Sequence, residues 1–202
     1  MHWTFRQLGS PMRYLWISHG SGLTTSKKTY DFAIPTLIGL AAVGVDRAFG
    51  INMGLSAPDG LLSDVISLLN LLIAFFIAAL AAVATFDRKG LDEKMKGEPA
   101  ILRRKNNKGR KVEIILTHRQ FVCYLFGYLS FSSLVFLMAL YGVKIFSPQI
   151  SHIAVSLPSV TMCFKYFGVF FFFAMLGQIA TTMLLGIHFL TDRLQFMDNP
   201  DI

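Results

Sequence analysis

Four stretches of the chain are apolar for long enough to cross a lipid bilayer, whose hydrocarbon core takes about 20 residues of helix. Val65 to Phe86 runs 22 residues without a charge, bounded by Asp64 and Asp87. Gln120 to Val143 runs 24 residues and stops at Lys144, and Tyr166 to Thr191 runs 26 residues between Lys165 and Asp192. The first stretch, Phe32 to Val45, has only 14 uncharged residues before Asp46 and Arg47. At about 1.5 Å per residue it covers roughly 21 Å. That helix is therefore expected to continue through Asp46, Arg47, Ala48 and Phe49, with both charged heads reaching water.

Between these runs the pattern changes. Asp87 to Gly97 is charged and is expected to prolong the second helix briefly, until Pro99 stops it. Ala100 to Lys105 and Arg110 to Leu116 flank Asn106-Asn107-Lys108-Gly109. Asn and Gly supply positive φ at the centre and β-branched residues follow, which predicts a β-hairpin. A lone hairpin is marginal in water, so it is expected to pack on a neighbouring element, another subunit or a partner protein. Thr117 followed by Gln120 has capping-box spacing and marks the start of the third helix. The third connection, Ile145 to Cys163, is apolar for a loop. Pro148 and Pro158 frame it, and it predicts a short helix or strand lying as a cap on the outer face, or a shallow re-entrant dip.

Composition agrees with the pattern. Of 202 residues 53% are hydrophobic and only 15% charged, against roughly 25% charged in soluble proteins; mean hydropathy is +0.53. A soluble globular enzyme, a disordered chain and a disulfide-stapled scaffold are excluded. Charge sets the orientation. Counting four helices, the tails and central connection share one side and carry sixteen of the nineteen Lys and Arg residues, leaving three opposite. The positive-inside rule then places both termini and the central loop in the cytoplasm. The expected fold is an all-α integral membrane protein of four transmembrane helices in the inner (cytoplasmic) membrane, with a small cytoplasmic hairpin between helices 2 and 3. Its divisions are an interfacial N-tail (1–31), helices 1 and 2 (32–86), the basic loop (87–119), helices 3 and 4 (120–191) and a C-tail (192–202). In the N-tail Trp3, Phe5, Tyr14 and Trp16 alternate with Arg6 and Arg13, which predicts a segment along the headgroup plane rather than a signal peptide.

The net charge of +7 thus belongs to one face. Arg103, Arg104, Lys105, Lys108, Arg110 and Lys111 concentrate it on the hairpin, as a site for anionic lipid or an acidic cytosolic protein. Aromatic residues do not interleave with these bases, which disfavours direct nucleic-acid binding.

Candidate chemistry is sparse. No nucleophile elbow, phosphate-binding loop, H-E-x-x-H or paired membrane carboxylates occur, so no catalytic residue, metal or cofactor is expected. Cys123 and Cys163 fall a membrane thickness apart, too far for a disulfide, and read as small buried apolar residues. His188 lies within a span and His118 and Cys123 near the same interface, without recognisable metal-ligand spacing. The polar residues at depth are Asn70, Gln178, Thr181 and Thr182, with Ser130, Ser132 and Ser133 in helix 3. They suit interhelical hydrogen bonds or, for Gln178, Thr181 and Thr182, a narrow polar path. Ala74, Ala78 and Ala82 form a small-residue stripe for close packing, and Phe170 to Phe173 must point in all directions. Four helices bury few side chains, so a homo-oligomer is expected.

Two stretches carry a resemblance: Leu116-Thr117-His118-Arg119-Gln120-Phe121-Val122-Cys123-Tyr124-Leu125-Phe126-Gly127-Tyr128 and Gly186-Ile187-His188-Phe189-Leu190-Thr191-Asp192-Arg193. With the size and helix count they resemble the small membrane subunits of bacterial anti-phage defence operons, in particular the four-helix membrane subunit of the Kiwa system. The resemblance implies an oligomeric sensor that recruits a cytosolic, DNA-binding partner when the envelope is disturbed, and carries no functional residues across. The residues themselves point to a non-enzymatic scaffold or sensor docking a cytosolic protein, or else to a small pore-forming, membrane-permeabilising protein.

Overall fold

A computed structural model describes residues 9, 11–18, 27, 29–49, 60–86, 89–94, 100–105, 111–156 and 158–193. Four helices are long and apolar enough to cross a membrane. The first span, Thr29–Phe49, opens with a π-helical turn, Thr29–Ala33, and continues as α1, Ile34–Phe49. It passes through Asp46 and Arg47 as expected, but the two charges part company. Arg47 is exposed, whereas Asp46 turns inward and meets Lys165 at 3.1 Å.

The second helix, α2, is Leu61–Thr85. Its buried residues Leu62, Leu69, Phe76 and Val83 recur every seven positions, with Val65 and Ile66 between them. That is the seam of a left-handed helix pair, and it packs on α3, His118–Ser156. The remaining helix, α4, is Pro158–His188. Extensive interfaces join α2 to α3, α3 to α4 and α4 to α1. The helices therefore stand in a row, α2–α3–α4–α1, with α3 the most enclosed. Aromatic pairs tie the row together: Phe76 with Phe126 at 6.4 Å, and Phe136 with Phe172 at 5.9 Å. Where α1 crosses α4 the backbones nearly touch. A Cβ on Gly39 would lie 2.9 Å from the Phe170 ring and carbonyl, and one on Gly177 would lie 2.9 Å from Ile38.

Several expectations are corrected. The second helix does not run on past Asp87. It ends at Thr85, Phe86 turns extended, and a short 3-10 turn follows at Lys89–Asp92. The stop has a physical cause in Arg119, whose guanidinium donates to the Ala84 carbonyl at 3.3 Å and pairs with Asp92 at 2.9 Å. A cation is thereby placed on the C-terminal carbonyls. The third connection is helical, one of the alternatives expected, but not as a separate short element: α3 runs through Pro148 to Ser156 and α4 starts at Pro158, where proline suits a first helical position. At 39 residues α3 is about 58 Å long, well beyond the roughly 30 Å hydrocarbon core. The capping box forms as expected: the Thr117 amide donates to Gln120 Oε1 at 3.2 Å, and the Gln120 amide donates to Thr117 Oγ1 at 3.3 Å.

The hairpin strands are Ile101–Lys105 and Lys111–Ile115, but they are not the whole sheet. A third strand, Ile17–Ser18, comes from the N-tail. With β1 as Ile17–Ser18, β2 as Ile101–Lys105 and β3 as Lys111–Ile115, the order is β1-β2-β3, all antiparallel. Ile17 pairs with Leu102 and Ser18 with Ile101. The neighbour that the hairpin needs is thus partly its own chain. It also fixes the N-tail and central connection at one end of the helix row. The C-terminal end of the fourth span joins them there, since Phe189 meets Phe121 at 4.7 Å.

Candidate functional site

A 3-10 turn, Pro11–Trp16, leads into β1 and carries Tyr14 into the helix row. For Tyr14 this differs from an aromatic lying in the headgroup plane. Tyr14 is fully buried, stacked on Tyr128 of α3 at 5.0 Å and tilted against Phe121 at 6.3 Å, while Met12 and Trp16 of the same turn project outward. Trp3, Phe5 and Arg6 lie outside the described residues. Around Tyr14 closes a charged cluster. Lys27 Nζ meets Asp31 Oδ2 at 2.8 Å, donates to the Tyr14 carbonyl at 2.6 Å and sits 3.7 Å over the Tyr14 ring. The Tyr14 hydroxyl donates to the other Asp31 oxygen at 3.5 Å. Lys27 is 4% exposed and Asp31 2%.

Charges so enclosed persist only when both are paired and their remaining valences filled. The ammonium finds a carboxylate, a carbonyl and a ring face; the carboxylate finds an ammonium and a phenol. Burial pulls the Lys27 ammonium below its ordinary pKa, and Asp31 pulls it back up. Burial, then the Asp31 charge, pushes the Tyr14 phenol well above its ordinary value, so it stays a neutral donor. A sealed arrangement of this kind has no room for a substrate. Its capacity is mechanical: it clamps the N-tail to the first span.

The clamp extends into the row. Gln178 of α4 donates to the hydroxyl of Tyr128, the ring on which Tyr14 stacks. One turn on, Thr181 donates to the Tyr30 carbonyl at 3.1 Å, at the start of the first span, and also to Gly177 of its own helix. Gln178 and Thr181 are therefore brought together with the cluster as interhelical ties. Thr182 is fully buried beside them with no hydrogen bond from its hydroxyl among the described residues. Two of the α3 serines bond within their own helix, Ser130 and Ser132 donating to the Phe126 and Leu129 carbonyls, and Ser133 is buried with no hydrogen bond from its hydroxyl among the described residues. Asn70 is not brought to the site. It faces outward from α2, and so do Ala74, Ala78 and Ala82, so this stripe is unused within one chain. In the phenylalanine run Phe171 is exposed and Phe172 buried, as a continuous run requires.

The basic positions gather on the sheet. Register places Arg103 opposite Glu113, Arg104 opposite Val112 and Lys105 opposite Lys111. The side chains of Arg103, Arg104, Lys105 and Lys111 lie outside the described residues, as do Lys108 and Arg110 altogether. On β3 the described side chains Val112, Ile114 and Ile115 are each exposed by 38% or more.

Both cysteines are free: Cys123 is half-buried, but Cys163 is exposed and so is not the buried apolar residue expected. Among the described residues no group of three His, Cys, Asp or Glu side chains converges to hold a metal ion. Sequence reasoning missed Tyr14, Lys27, Asp31 and Tyr128. The available signal was Lys27 four residues before Asp31, an i,i+4 pair abutting an apolar run, which charge counting alone treats as topology. Compared with protein-family models, with curated proteins and with solved structures, the chain matches none of them.

Proposed function

We propose that the chain is a non-enzymatic, oligomeric membrane scaffold or sensor subunit that docks a cytosolic protein on its sheet. The observation that carries this reading is strand β3. It pairs only with β2 among the described residues, and it presents Val112, Ile114 and Ile115 outward beside a concentration of basic residues. An apolar edge strand left open is a template for another strand. Six bases against Glu113 select an acidic partner, or anionic headgroups, over a second copy of the same edge.

The positive-inside rule puts this sheet and both tails in the cytoplasm, and the pairing of β1 with β2 supports a common side for the N-tail and central loop. Self-association is supported by the outward stripe of Ala74, Ala78 and Ala82 on an end helix of the row. It is supported too by Asn70 on the same face, whose amide can both donate to and accept from its own copy. A place in anti-phage defence rests on the architectural resemblance to the Kiwa membrane subunit.

The test is native mass spectrometry of the protein extracted gently from its own host, beside the variant Arg103→Glu/Arg104→Glu/Lys105→Glu. The expected result is a homo-oligomer carrying a stoichiometric soluble protein, with the soluble protein lost and the oligomer retained in the variant. Undiminished recruitment by the variant overturns the docking site. A homo-oligomer without a partner that passes ions in liposomes would point to the pore instead.

A further inference from the structure

Near its start α3 turns a second face away from the helix row. Gln120 is exposed there and Cys123, Tyr124 and Gly127 are half-buried, on the side of the helix opposite the buried Val122, Leu125 and Leu129. The 3-10 turn Pro11–Trp16 borders this face at Pro11, and Arg119 stands at its end. Pro11, Arg119, Gln120, Cys123, Tyr124 and Gly127 together line a groove of about 400 Å³. Glycine keeps it open, since a Cβ built on Gly127 meets nothing within 4 Å. The groove has a polar end and an apolar end. Arg119 and Gln120 belong to the first turn of α3, and Gly127 lies about 12 Å farther along the axis. All of this falls within the span His118–Phe146. In a bilayer the polar end therefore sits at headgroup depth, and the open side of the apolar end meets acyl chains. Arg119 keeps capacity for an anion. It donates through one terminal nitrogen to the Ala84 carbonyl and through the other to Asp92, two of five N–H groups. The Asp92 side chain is 62% exposed, so this is a surface ion pair that another anion can share or displace.

We propose that this groove binds one anionic phospholipid of the cytoplasmic leaflet, with its phosphate on Arg119 and Gln120 and an acyl chain laid along Cys123, Tyr124 and Gly127 beside Pro11. The chemistry selects this occupant. An extended peptide brings backbone N–H and C=O groups that the apolar end cannot satisfy at membrane depth, whereas an acyl chain brings none. A zwitterionic headgroup carries its own cation beside the phosphate and gains less from Arg119. One basic residue near the surface favours an anionic lipid by about fivefold. The bound chain also packs on Pro11, at the head of the turn that carries Tyr14 into the row, and so joins the N-tail to the leaflet. This site rests on the membrane reading of the four helices; it uses neither the sheet nor a docked protein.

The test is native mass spectrometry of the purified full chain in detergent, titrated with phosphatidylglycerol or with phosphatidylcholine of the same acyl chains. The quantity read is the affinity of the first lipid bound per chain. The wild type is expected to bind phosphatidylglycerol about fivefold more tightly. Gly127→Leu, whose Cβ meets no neighbour and whose side chain fills the groove, is expected to weaken both lipids severalfold. Gly142→Leu, at another open glycine of α3, is expected to weaken neither. Arg119→Gln is expected to abolish the preference while phosphatidylcholine still binds. Asp92→Asn, which removes the competing carboxylate, is expected to raise the preference, a gain that damage to the fold does not mimic. Equal affinities in the wild type, or a preference that survives Arg119→Gln, overturn the headgroup contact. Undiminished binding in Gly127→Leu, or equal losses in Gly127→Leu and Gly142→Leu, overturn the groove. Because the lipid is read without a partner protein, its failure leaves the docking site on β3 standing. Loss of partner recruitment with normal lipid binding does the reverse.

Discussion

Asp31 and Asp46 stand near opposite ends of the first span, both buried and each facing a lysine. Lys27 beside Asp31 is sealed with it, 4% exposed, and makes further contacts to the Tyr14 carbonyl and ring. Lys165 beside Asp46 is 48% exposed and reaches in from the first turns of the fourth span. The first pair exchanges water on both sides for protein. The second keeps its cation hydrated along a flexible stem, as lysines near a membrane interface do. Two pairs of the same chemistry thus serve opposite ends: one locks a segment into the fold, the other tethers a helix end that solvent can still reach.

The largest effect should come from breaking the sealed pair. Asp31→Ala leaves Lys27 buried with a carbonyl and a ring but no counter-charge, a class of change that costs about 3–5 kcal/mol. Thermal unfolding of the purified protein should fall accordingly, whereas the same substitution at Asp46 should move it far less. Equal losses at the two positions would end the distinction, since Lys165 would then be as dependent on its partner as Lys27.

The contrast also marks where sequence stops being legible. Helix number, the extension through Asp46, the capping box and the hairpin strands follow from local signals: run length, a Thr–Gln spacing, and an Asn-Asn-Lys-Gly stretch followed by β-branched residues. The third strand does not, because Ile17 and Ser18 have no strand pattern of their own and acquire it only by meeting Leu102 and Ile101. Nor does the buried cluster. Tyr14 beside Arg13 and Trp16 reads as an interfacial aromatic, and only the place beside Tyr128 left by the helix row makes it a core residue. Of the polar residues singled out beforehand, Gln178 and Thr181 belong to that cluster, but their partners are a tyrosine and a backbone carbonyl distant in sequence. The length of α3 was obscured by Pro148 within it and Pro158 just beyond it, although Ile150, Ile153, Ala154 and Leu157 keep helical spacing between the two prolines.

A middle-sized effect tests whether the two ends of the first span act independently. Gly39 lies between the two aspartates, where an added Cβ would lie 2.9 Å from the Phe170 ring and carbonyl. Backbone cannot yield as a side chain tip can, so Gly39→Leu must push α1 away from α4. Overpacking of this kind costs about 1–3 kcal/mol. The expected outcome is a helix detached at its centre, with faster hydrogen exchange in α1 and with Lys27–Asp31 still closed, because that pair lies within a single turn. Protection of Lys27 from amine-reactive reagents measures the closure directly. If Lys27 becomes reactive in Gly39→Leu, the sealed pair depends on the α1–α4 crossing and the ends are not independent.

The smallest effect concerns salt, and it separates the pairs without altering either aspartate. A half-exposed ion pair contributes about 1 kcal/mol or less and is screened by mobile ions, whose screening length falls from about 10 Å at 0.1 M to about 3 Å at 1 M. Lys165→Met leaves Asp46 buried and unpaired, so its cost exceeds that of a surface pair. The part carried by the hydrated Lys165 charge should nevertheless shrink by a few tenths of a kcal/mol between low salt and about 1 M, while the cost of Lys27→Met should be the same at both. The measurement is a pair of unfolding series in one detergent at two salt concentrations. Mobile ions do not enter a site where both partners are under 5% exposed, so a salt-dependent cost at Lys27 would mean that water and ions reach Asp31. That would remove the physical basis for a clamp, because a hydrated pair at the root of the N-tail could part without leaving a buried charge behind.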